Sequence, residues 1–373
     1  MKIILFTRTE LKEGHGDVVR VVELSKAINK RHQVHLAMLD SNQTSFCGIE
    51  IVRINKYLLK VPFLALFSFY KIVREIKPDI IQAESYQTAY LCGILSRFGK
   101  NNPKCIWDIH GDILSELEFE EKSIYNFVKM LNTKLMVFLS KTLVKNKIVV
   151  SHNQKRELKQ KSHIWVIPNG HSPENLINPR NIALQKNKPI LTYVGTLEKW
   201  AKVSDLIEAF RIVTEKSSCF LYVIGDGPDM SKLRERVKHY NLEKTVLFTG
   251  KIPYGSIKNY LHASDILLAP FPDHTALRVA CPIKLLEYMS VGKPIVTMNI
   301  GEIPSIMERS KAAIVTSPDV ASFANGIIKL IYDKNLQIEI SKNAKLLSRE
   351  FTWEKMGKKL LAVYDEVENR GDN

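Results

Sequence analysis

The sequence lacks most of the features that mark membrane-spanning, disulfide-stabilised or zinc-binding proteins. Its five cysteines are odd in number and widely spaced, and no two form a Cys-x-x-Cys pair, so neither a disulfide framework nor a zinc site is indicated. We expect them to be buried thiols in a reducing compartment. The longest uncharged apolar stretch, residues 61–70, is half as long as the roughly 20 residues that a membrane-spanning helix needs.

The N-terminus and the overall composition exclude further classes of protein. The apolar run at residues 3–6 is too short for the hydrophobic region of a secretory signal, so we expect no export. A content of 45% hydrophobic and 25% charged residues excludes disordered and collagen-like chains. At roughly 150 residues per domain, the 373 residues indicate two domains, each large enough to bury a core.

Acidic residues are scarce in two segments of the chain. The sequence has 54 Lys and Arg against 39 Asp and Glu, a net charge of +15. Residues 53–77 contain six basic side chains and one acidic one, and residues 122–161 contain ten and one. Because both segments also carry clustered apolar residues, we predict that they bind an anionic membrane surface. No nucleic-acid-binding motif accompanies the charge, so nucleic acid is not an expected partner.

The spacing of lysines in the second basic segment is typical of a helix. Lys134, Lys141 and Lys145 recur at intervals of seven and four residues, which places them on one face. Three apolar residues are available to another face: Leu131, Leu135 and Phe138. A basic amphipathic helix of this kind suits an anionic bilayer. The alternative is that the lysines form a solvated face and the apolar residues pack into the core.

Short apolar runs alternate with amphipathic stretches through the first half of the chain and again through the second half. This alternation predicts parallel sheets covered by helices, which is an α/β fold in two domains. Residues 171–188 contain proline breaks and little apolar periodicity, so we place a linker there, between domains at 1–170 and 189–352. Residues 353–373 are predicted to form a C-terminal helix that crosses back to the first domain.

A glycine-bearing loop at residues 13–19 follows the first predicted strand. Gly16 permits a close approach of the backbone to a ligand, and the following helix would present free N–H groups to an anion. The dinucleotide fingerprint needs a third glycine where Val19 stands. A nicotinamide-dependent oxidoreductase is therefore not indicated.

His110 follows another predicted strand and lies between Asp108 and Asp112, next to Gly111. The carboxyl ends of parallel strands are where α/β proteins bind their ligands. An imidazole donates or accepts a proton near pH 7. We therefore predict that His110 is a functional residue rather than a structural one.

The second half of the chain has glycine at three successive strand ends, Gly195, Gly225 and Gly250. Each of them alone is compatible with a structural turn. Three glycines at equivalent positions indicate a crevice that is lined by backbone, because glycine permits the closest approach of the main chain to a ligand.

The stretch at residues 281–296 is the most informative one. Pro282 suits the first turn of a helix and Gly292 suits its end, so Lys284 and Glu287 lie on one side of that helix. A carboxylate accepts two hydroxyl hydrogen bonds, such as a ribose diol donates. The helix N-terminus and Lys284 together favour a diphosphate. The alternative is a solvated Lys–Glu pair without function.

These motifs together resemble the GT-B glycosyltransferases of the GT4 type. The resemblance is thinner in the first half, where it rests on residues 14–17, 108–111 and Ser151. In the second half it is almost continuous, through residues 166–170, 193–195, 205–210, 224–228, 248–250, 282–296, 301–304 and 351–353.

The resemblance implies a fold of two doubly wound, Rossmann-like parallel-sheet domains that face a central cleft. It implies that domain 1–170 binds the acceptor and that domain 189–352 binds a nucleotide-diphosphate sugar. The reaction implied is sugar transfer with retention at the anomeric carbon, without a metal or another cofactor. The expected acceptor is a glycan or lipid-linked glycan of polysaccharide biosynthesis, and the enzyme is expected in the cytoplasm, peripheral at the inner face of the cell membrane.

By the same resemblance, Glu287 holds the ribose hydroxyls, and the amides from Ile283 to Leu286 hold the pyrophosphate. The backbone at Gly225 belongs to the donor site. Gly16 approaches the phosphate and sugar from the first domain, and His110 contacts the sugar.

The sequence departs from the family pattern at three points. The first glutamate of the Glu-x7-Glu motif is Val279 here, and the arginine after the strand-end glycine is Thr196. The Lys-Gly pair expected a few residues later reads Ala201-Lys202. In the family the missing basic residues hold the diphosphate and are called here the diphosphate clamp. Four basic residues are candidates to replace it, and Lys284 is the first choice: Lys199, Lys202, Arg278 and Lys284. Thr196 is also assigned to the donor site.

Two other functions remain open from the sequence. An inactive or regulatory glycosyltransferase-like subunit is favoured by the missing clamp residues, and it would bind a donor without turnover. A nucleotide-sugar epimerase on the same fold would convert the sugar without any acceptor. The sugar, the nucleotide base and the acceptor are not defined by these motifs, because specificity depends on a few side chains on a shared scaffold.

Overall fold

The computed structural model divides the chain into two compact units, Met1–Asn169 with Trp353–Asn373, and Gly170–Thr352. The residues that it describes are 1–7, 16–39, 41, 44–55, 62–98, 103–117, 123–158, 163–182, 184–185 and 187–370. Gly14 and His15 of the predicted glycine loop lie outside the described residues, as do parts of both basic segments. Gly16 is the first residue of a helix. The predicted linker at 171–188 stays a prediction.

The first unit contains an eight-stranded sheet with helices between its strands. The strands are β1 (Lys2–Thr7), β2 (Gln33–Leu39), β3 (Ser45–Phe46), β4 (Ile49–Ile54), β5 (Ile80–Ala83), β6 (Lys104–Ile109), β7 (Asn146–Val149) and β8 (His163–Val166). The helices are α1 (Gly16–Asn29), α2 (Pro62–Ile76), α3 (Tyr86–Phe98), α4 (Ile113–Glu116), α5 (Ile124–Leu143) and α6 (His152–Glu157).

The strand order of the first sheet is β3-β4-β2-β1-β5-β6-β7-β8, and every pair is parallel except β3 with β4. The central strands are almost continuous apolar runs, as expected of a sheet that is covered on both faces. The order reverses between β1 and β5, where the backbone N–H of Glu84 donates to the carbonyl of Phe6 at 3.0 Å. Ligands of such sheets bind at this kind of reversal.

The second unit contains a six-stranded, wholly parallel sheet. Its strands are β9 (Ile190–Val194), β10 (Phe220–Ile224), β11 (Val246–Gly250), β12 (Ile266–Ala269), β13 (Ile295–Met298) and β14 (Ile314–Thr316). Its helices are α7 (Pro173–Leu176), α8 (Val203–Thr214), α9 (Met230–His239), α10 (Tyr254–Ala263), α11 (Thr275–Val279), α12 (Ile283–Val291), α13 (Glu302–Arg309), α14 (Val320–Tyr332) and α15 (Lys334–Ser348).

The strand order of the second sheet is β11-β10-β9-β12-β13-β14. The chain moves outward from β9 to β11 and then returns to the other side of β9 to form β12. The reversal therefore lies at the carboxyl end of β9, where residues 194–197 continue the chain.

The last helix, α16 (Trp353–Asn369), belongs to the first unit, where it packs against α1. The contact is close because Gly357 has no side chain: a Cβ atom there would lie 2.3 Å from Cβ of Ala27. Tyr364 of α16 is completely buried in this unit. The C-terminal helix thus contributes a polar side chain to the interior of the first unit.

The α/β class with two parallel sheets, predicted from the alternation of runs, is confirmed by the structure. The expectation that the cysteines are buried holds for four of them, Cys92, Cys105, Cys219 and Cys281. It is wrong for Cys47, which lies in the exposed turn between β3 and β4.

Candidate active site

Two loops of the second unit pack backbone against backbone at the carboxyl ends of β9 and β10. The N–H of Gly195 donates to the carbonyl of Ile224 at 3.0 Å. Gly225 has a φ of +138°, and a Cβ atom there would lie 1.9 Å from the carbonyl oxygen of Gly195. A Cβ atom on Gly227 would lie 2.5 Å from the carbonyl oxygen of Leu197. Only glycine fits at Gly225, so the close contact between the loops already explains the residue that the sequence assigned to the donor site.

Lys284 lies in the first turn of α12, and its side chain reaches the end of β9. Its ammonium nitrogen lies 3.3 Å from the hydroxyl oxygen of Tyr193 and 4.6 Å from the centre of that ring. The ring of Phe271 lies 5.8 Å away on another side. A Cβ atom on Gly195 would lie 2.5 Å from this nitrogen. Glycine at this strand end therefore leaves the space that the Lys284 ammonium occupies, beside two aromatic faces that attract a cation.

Glu287 lies one turn further along α12, and only 6% of the residue is exposed. Its carboxylate accepts a hydrogen bond from the hydroxyl of Tyr254 in α10. Burial raises the pKa of Glu287 to about 7, although the Tyr254 hydrogen bond and the positive charge of Lys284 both lower it. A buried carboxyl that titrates near neutral pH is typical of a functional site rather than of a solvated Lys–Glu pair.

Helix α12, which carries Lys284 and Glu287, is tied to the end of β9. Pro282 precedes the helix and Gly292 ends it at a φ of +71°, as the sequence predicted. Tyr288 is completely buried, and its hydroxyl accepts a hydrogen bond from the N–H of Val194 at 2.8 Å. The same helix therefore fixes the last peptide of β9 and positions Lys284 and Glu287 next to it. Of the two other predicted residues here, Leu286 is buried and Ile283 is half-buried.

The remaining basic candidates take no part in these contacts. The guanidinium of Arg278 forms a bidentate ion pair with Asp273, at 2.8 and 2.9 Å. Lys199 and Lys202 are exposed, at the 3₁₀ turn Lys199–Ala201 and at the residue that precedes α8. Thr196 is exposed, and its carbonyl accepts a hydrogen bond from Tyr193 at 3.3 Å. Of the four predicted replacements for the clamp, the structure brings Lys284 to the strand end together with Glu287 on the same helix.

His110 of the first unit follows β6, at the edge where the sheet order reverses. Its Nε2 atom lies 3.2 Å from the carbonyl oxygen of Glu84 and 3.6 Å from the carboxylate of the same residue. Asp108, two residues earlier, is completely buried and accepts two hydrogen bonds from the guanidinium of Arg20, at 2.9 and 3.0 Å. Sequence reasoning placed His110 at a ligand-binding edge but missed Arg20 and Glu84, which come from α1 and from the end of β5.

The predicted membrane helix α5 is apolar on two opposite faces. One face packs in the unit through Thr133, Val137 and Ser140. The opposite face is exposed and carries most of the large apolar residues: Ile124, Phe127, Val128, Leu131, Leu135 and Phe138. The alternative in which Leu131, Leu135 and Phe138 pack into the core is therefore wrong. Lys134 and Lys141 flank the exposed stripe, whereas Lys145 lies beyond the end of α5.

Helix α2 shows a similar surface. Leu64, Phe67 and Tyr70 are exposed, and the ammonium of Lys71 lies 4.7 Å from the ring centre of Phe67. Both α2 and α5 pack against α3, so the two exposed surfaces flank the same helix. In the part of the chain that the structure describes, no helix is both long and apolar enough to cross a membrane.

One prediction follows from the buried carboxyl. Burial raises the pKa of Glu287 from 4.5 to about 7, so the ionised form costs the folded unit about 3 kcal/mol above pH 7, and this cost disappears below pH 4.5. Replacing Glu287 with glutamine is therefore expected to raise the melting temperature of the ligand-free protein at pH 8, by roughly 5 to 10 °C. The gain falls as the pH is lowered through 7 toward 5, as thermal unfolding at each pH measures.

The matched control for this prediction is Glu235→Gln, which removes the same charge from an exposed position of α9. It is expected to leave the melting temperature unchanged at both pH values. A Glu287→Gln protein that melts lower than the parent protein at pH 8 would contradict the prediction that the buried, ionised carboxylate destabilises the folded protein.

Two family models match the chain. The model described as Glycosyl transferases group 1 matches residues 174–347, and the model described as Glycosyltransferase Family 4 matches residues 15–175. The two matches together account for most of the chain, and the boundary between them lies close to the boundary between the two units.

Comparisons with individual proteins agree with these matches. The Escherichia coli UDP-Gal:alpha-D-GlcNAc-diphosphoundecaprenol alpha-1,3-galactosyltransferase is 27% identical over 303 residues, which cover 75% of this chain and 73% of that protein. The solved sucrose-phosphate synthase of Thermosynechococcus elongatus has a TM-score of 0.79 at 16% identity, covering 98% of both chains. HepE of Anabaena, solved with UDP and glucose, has a TM-score of 0.75 at 17% identity, covering 98% of this chain and 100% of that one. The two structures show the fold that this chain shares.

Proposed function

Because this chain belongs to the GT-B glycosyltransferases of the group 1 type, we propose that it transfers a sugar from a nucleotide diphosphate to a lipid-linked or other glycan acceptor, with retention and without a metal. The observation that carries the proposal is the Lys284 ammonium beside Gly195 at the carboxyl end of β9, with the buried Glu287 one turn further along the same helix. The second unit binds the donor in this proposal, and the first unit binds the acceptor.

Each part of the donor has a partner in the proposed site. The carboxylate of Glu287 accepts hydrogen bonds from the two ribose hydroxyls, and its burial excludes competing water. The diphosphate lies at the N-terminus of α12, where the amides from Ile283 to Leu286 and the ammonium of Lys284 face it. Four further residues border this region: Thr196, Lys199, Lys202 and Arg278. Gly16 and His110 of the first unit contact the phosphate and the sugar.

The proposed chemistry depends on the charge of the leaving group. As the bond between the anomeric carbon and the diphosphate oxygen breaks, the acceptor oxygen forms the new bond to that carbon. Negative charge develops on the diphosphate, and the leaving oxygen takes the proton from the acceptor hydroxyl. The Lys284 ammonium is placed to stabilise that charge, because Tyr193 and Phe271 hold it at the strand end before the reaction begins. In this proposal Lys284 takes the role of the family's arginine, whose position Thr196 occupies in this chain.

The acceptor and the location belong to the same proposal. The Escherichia coli relative is named for an acceptor that is linked to diphosphoundecaprenol. We extend this class of acceptor to the present chain because segments 53–77 and 122–161 combine basic residues with exposed apolar ones. The protein then works as a peripheral enzyme at the inner face of the cell membrane, where these segments bind anionic lipid.

A panel of nucleotide sugars tests the donor proposal. One nucleotide is expected to raise the melting temperature, since a donor at 100 times its Kd stabilises by about 2.7 kcal/mol. The diphosphate of a nucleotide sugar does not titrate near neutral pH, so the pH dependence of its binding reports on the protein. Because the ionised form of Glu287 binds the ribose and its pKa is about 7, donor affinity is expected to be about tenfold weaker at pH 6 than at pH 8.

The Glu287→Gln variant provides the control. It is expected to bind the donor at least tenfold more weakly at pH 8 and to show no change between pH 6 and pH 8. Unchanged affinity in this variant would show that the ribose binds elsewhere. Donor binding without turnover on any acceptor would favour the inactive subunit, which the Arg278–Asp273 ion pair and Thr196 also favour, and sugar conversion without an acceptor would favour the epimerase.

A further inference from the structure

A chain of buried polar side chains in the first unit connects the C-terminal helix to His110. Tyr364 of α16 is completely buried, and its hydroxyl donates a hydrogen bond to Oε1 of Gln82 at 2.6 Å. Gln82 lies on β5 and is also completely buried. Its Nε2 atom donates to the carboxylate of Glu84 at 2.9 Å and to that of Asp108 at 3.2 Å. Three elements that are distant in sequence, α16, β5 and β6, therefore meet around one amide group.

The last link of the chain fixes the protonation of the imidazole. The backbone carbonyl of Glu84 lies 3.2 Å from Nε2 of His110, and a carbonyl oxygen only accepts hydrogen bonds. Nε2 therefore carries a proton, in the neutral ring as in the charged one. The carboxylate of Glu84, 3.6 Å from the same Nε2, reinforces this orientation. The orientation of His110 thus depends on where Glu84 lies.

The hydroxyl of Tyr364 and the two carboxylates hold opposite ends of the Gln82 amide. An amide side chain is nearly symmetric in shape, so its two ends are distinguished by their hydrogen-bond partners. The Tyr364 hydroxyl donates to the oxygen, which leaves the NH2 group to face the two carboxylates. Burial and the negative charges of Glu84 and Asp108 raise the pKa of Tyr364 well above its usual value, so the hydroxyl keeps its proton.

The two carboxylates that face the Gln82 amide, those of Asp108 and Glu84, have different partners. Asp108 is neutralised by the bidentate guanidinium of Arg20, which also donates to the carbonyl of Pro168 and to the side chain of Asn169. Glu84 is almost completely buried, and its carboxylate accepts a hydrogen bond from Gln82 and lies 3.6 Å from Nε2 of His110. A rotated Gln82 amide would turn its oxygen toward two carboxylates, which is repulsive. The amide therefore does not rotate when the Tyr364 hydroxyl is removed. Its buried oxygen instead loses that donor, and a shift of the amide toward another donor moves the NH2 group and with it the carboxylate of Glu84.

We infer that Tyr364 is a positioning residue for His110, acting through the Gln82 amide and the Glu84 carboxyl. The inference rests on the proposed function, in which His110 contacts the sugar. It assigns to the C-terminal helix a role in transfer, through the phenol hydroxyl that this helix contributes to the buried polar groups. Tyr364 touches neither substrate nor reacting atoms, so its effect is transmitted entirely through the orientation of the His110 ring.

Replacing Tyr364 with phenylalanine tests the inference. The variant is expected to lower kcat about tenfold while the KM for the nucleotide sugar, which binds to the second unit, stays within twofold. The decisive comparison uses His110→Ala as the background. If Tyr364 acts through His110, removal of the hydroxyl costs no further activity there, whereas a general structural defect lowers kcat by the same factor in both backgrounds.

Tyr86→Phe is the matched control, because it removes a hydroxyl of the same unit that lies 3.4 Å from Oγ1 of Thr133, outside these buried polar groups. It is expected to leave kcat unchanged. A tenfold loss in Tyr86→Phe, or additive losses in the His110→Ala background, would overturn the inference.

A spectroscopic readout separates this inference from the proposed function. Ring ¹⁵N shifts of His110, identified by their disappearance in His110→Ala, report the proton on Nε2 in the ligand-free protein. They are expected to change in Tyr364→Phe and not in Tyr86→Phe. If the parent protein transfers no sugar but these shifts change as expected, the proposed function fails and the positioning role holds. Unchanged shifts in Tyr364→Phe overturn the positioning role whatever the enzyme transfers.

Discussion

Replacing Lys284 with methionine is expected to lower kcat/KM for the nucleotide sugar by about 100- to 1000-fold, the loss that follows removal of one preorganised group that stabilises developing negative charge. Methionine keeps an unbranched apolar stem of similar length against Tyr193 and Phe271, so the packing at the end of β9 is retained while the charge is lost. Most of the loss is expected in kcat, because the diphosphate carries more negative charge in the transition state than in the bound donor.

The measurement is steady-state transfer with the donor found in the panel, at pH 8. The matched control is Lys258→Met, which removes a half-buried lysine of α10 whose ammonium donates to the carbonyl of Ile177 at 2.9 Å, and it is expected to change kcat/KM less than twofold. A second readout comes from Glu287. The positive charge of Lys284 lowers the pKa of that carboxyl, so its loss is expected to shift the midpoint of donor binding above pH 7.

The competing assignments of the clamp give a different pattern. If Lys199 or Lys202 holds the diphosphate, replacement of that lysine costs 100-fold and Lys284→Met costs little. Arg278 is expected to matter less than Lys284, because Asp273 already holds its guanidinium in a bidentate pair. Full activity in Lys284→Met would remove the central element of the proposed mechanism, whereas the family membership of the chain would stand.

The sequence was sufficient to predict helix α12 and the placement of Lys284 and Glu287 on it, because every signal for these features is local. Pro282 and Gly292 mark the ends of the helix, and the spacing of three residues places Lys284 and Glu287 on one side. The α/β class was equally accessible, because alternating apolar runs reflect strands that are buried on both faces. Such features depend on residues that are neighbours in the chain.

The partners of these residues were not accessible from the sequence. Tyr254 reaches Glu287 from another helix, and Tyr193 reaches Lys284 from the end of a strand. Tyrosine is common in cores, and nothing in its local pattern distinguishes a hydroxyl that faces a carboxylate from one that faces a carbonyl. The same holds for Arg20, whose partner Asp108 is 88 residues away. Which distant polar groups pair in the interior is determined by packing. No periodic pattern in a single sequence reveals these pairs.

Helix α5 illustrates a different limit. Hydrophobic periodicity finds an apolar stripe but does not say which side of the helix the protein covers. Here the covered side includes Thr133 and Ser140, and the exposed side is the more apolar one. A soluble helix normally shows the reverse arrangement, so an exposed apolar stripe flanked by lysines indicates a surface with a partner. We propose an anionic bilayer as that partner, because the neighbouring lysines are positively charged.

Replacing Leu131, Leu135 and Phe138 together with serine is expected to weaken binding to anionic vesicles by about 100-fold. These side chains are between 51% and 64% exposed, so burial of the exposed part of each in the bilayer interface contributes about 1 kcal/mol, and the three together about 3 kcal/mol. Cosedimentation with vesicles that contain anionic lipid measures the loss. It is expected to persist at high salt, because the apolar contribution is not screened.

The lysines provide the complementary measurement. Replacing Lys134 and Lys141 with glutamine is expected to weaken the free energy of vesicle binding by about 1 kcal/mol for each lysine. The effect is expected only with anionic lipid and at low salt, because salt screens the attraction to the surface within a Debye length. Ile338→Ser with Leu346→Ser is the matched control, since both residues are exposed apolar side chains of α15 in the second unit, and it is expected to leave vesicle binding unchanged.

If the stripe instead covers a second copy of the chain, the parent protein forms a concentration-dependent dimer that the triple serine variant abolishes, and vesicle binding is then equal in both proteins. That result would contradict membrane docking through α5, because an apolar surface that is occupied by a protein partner is not available to lipid.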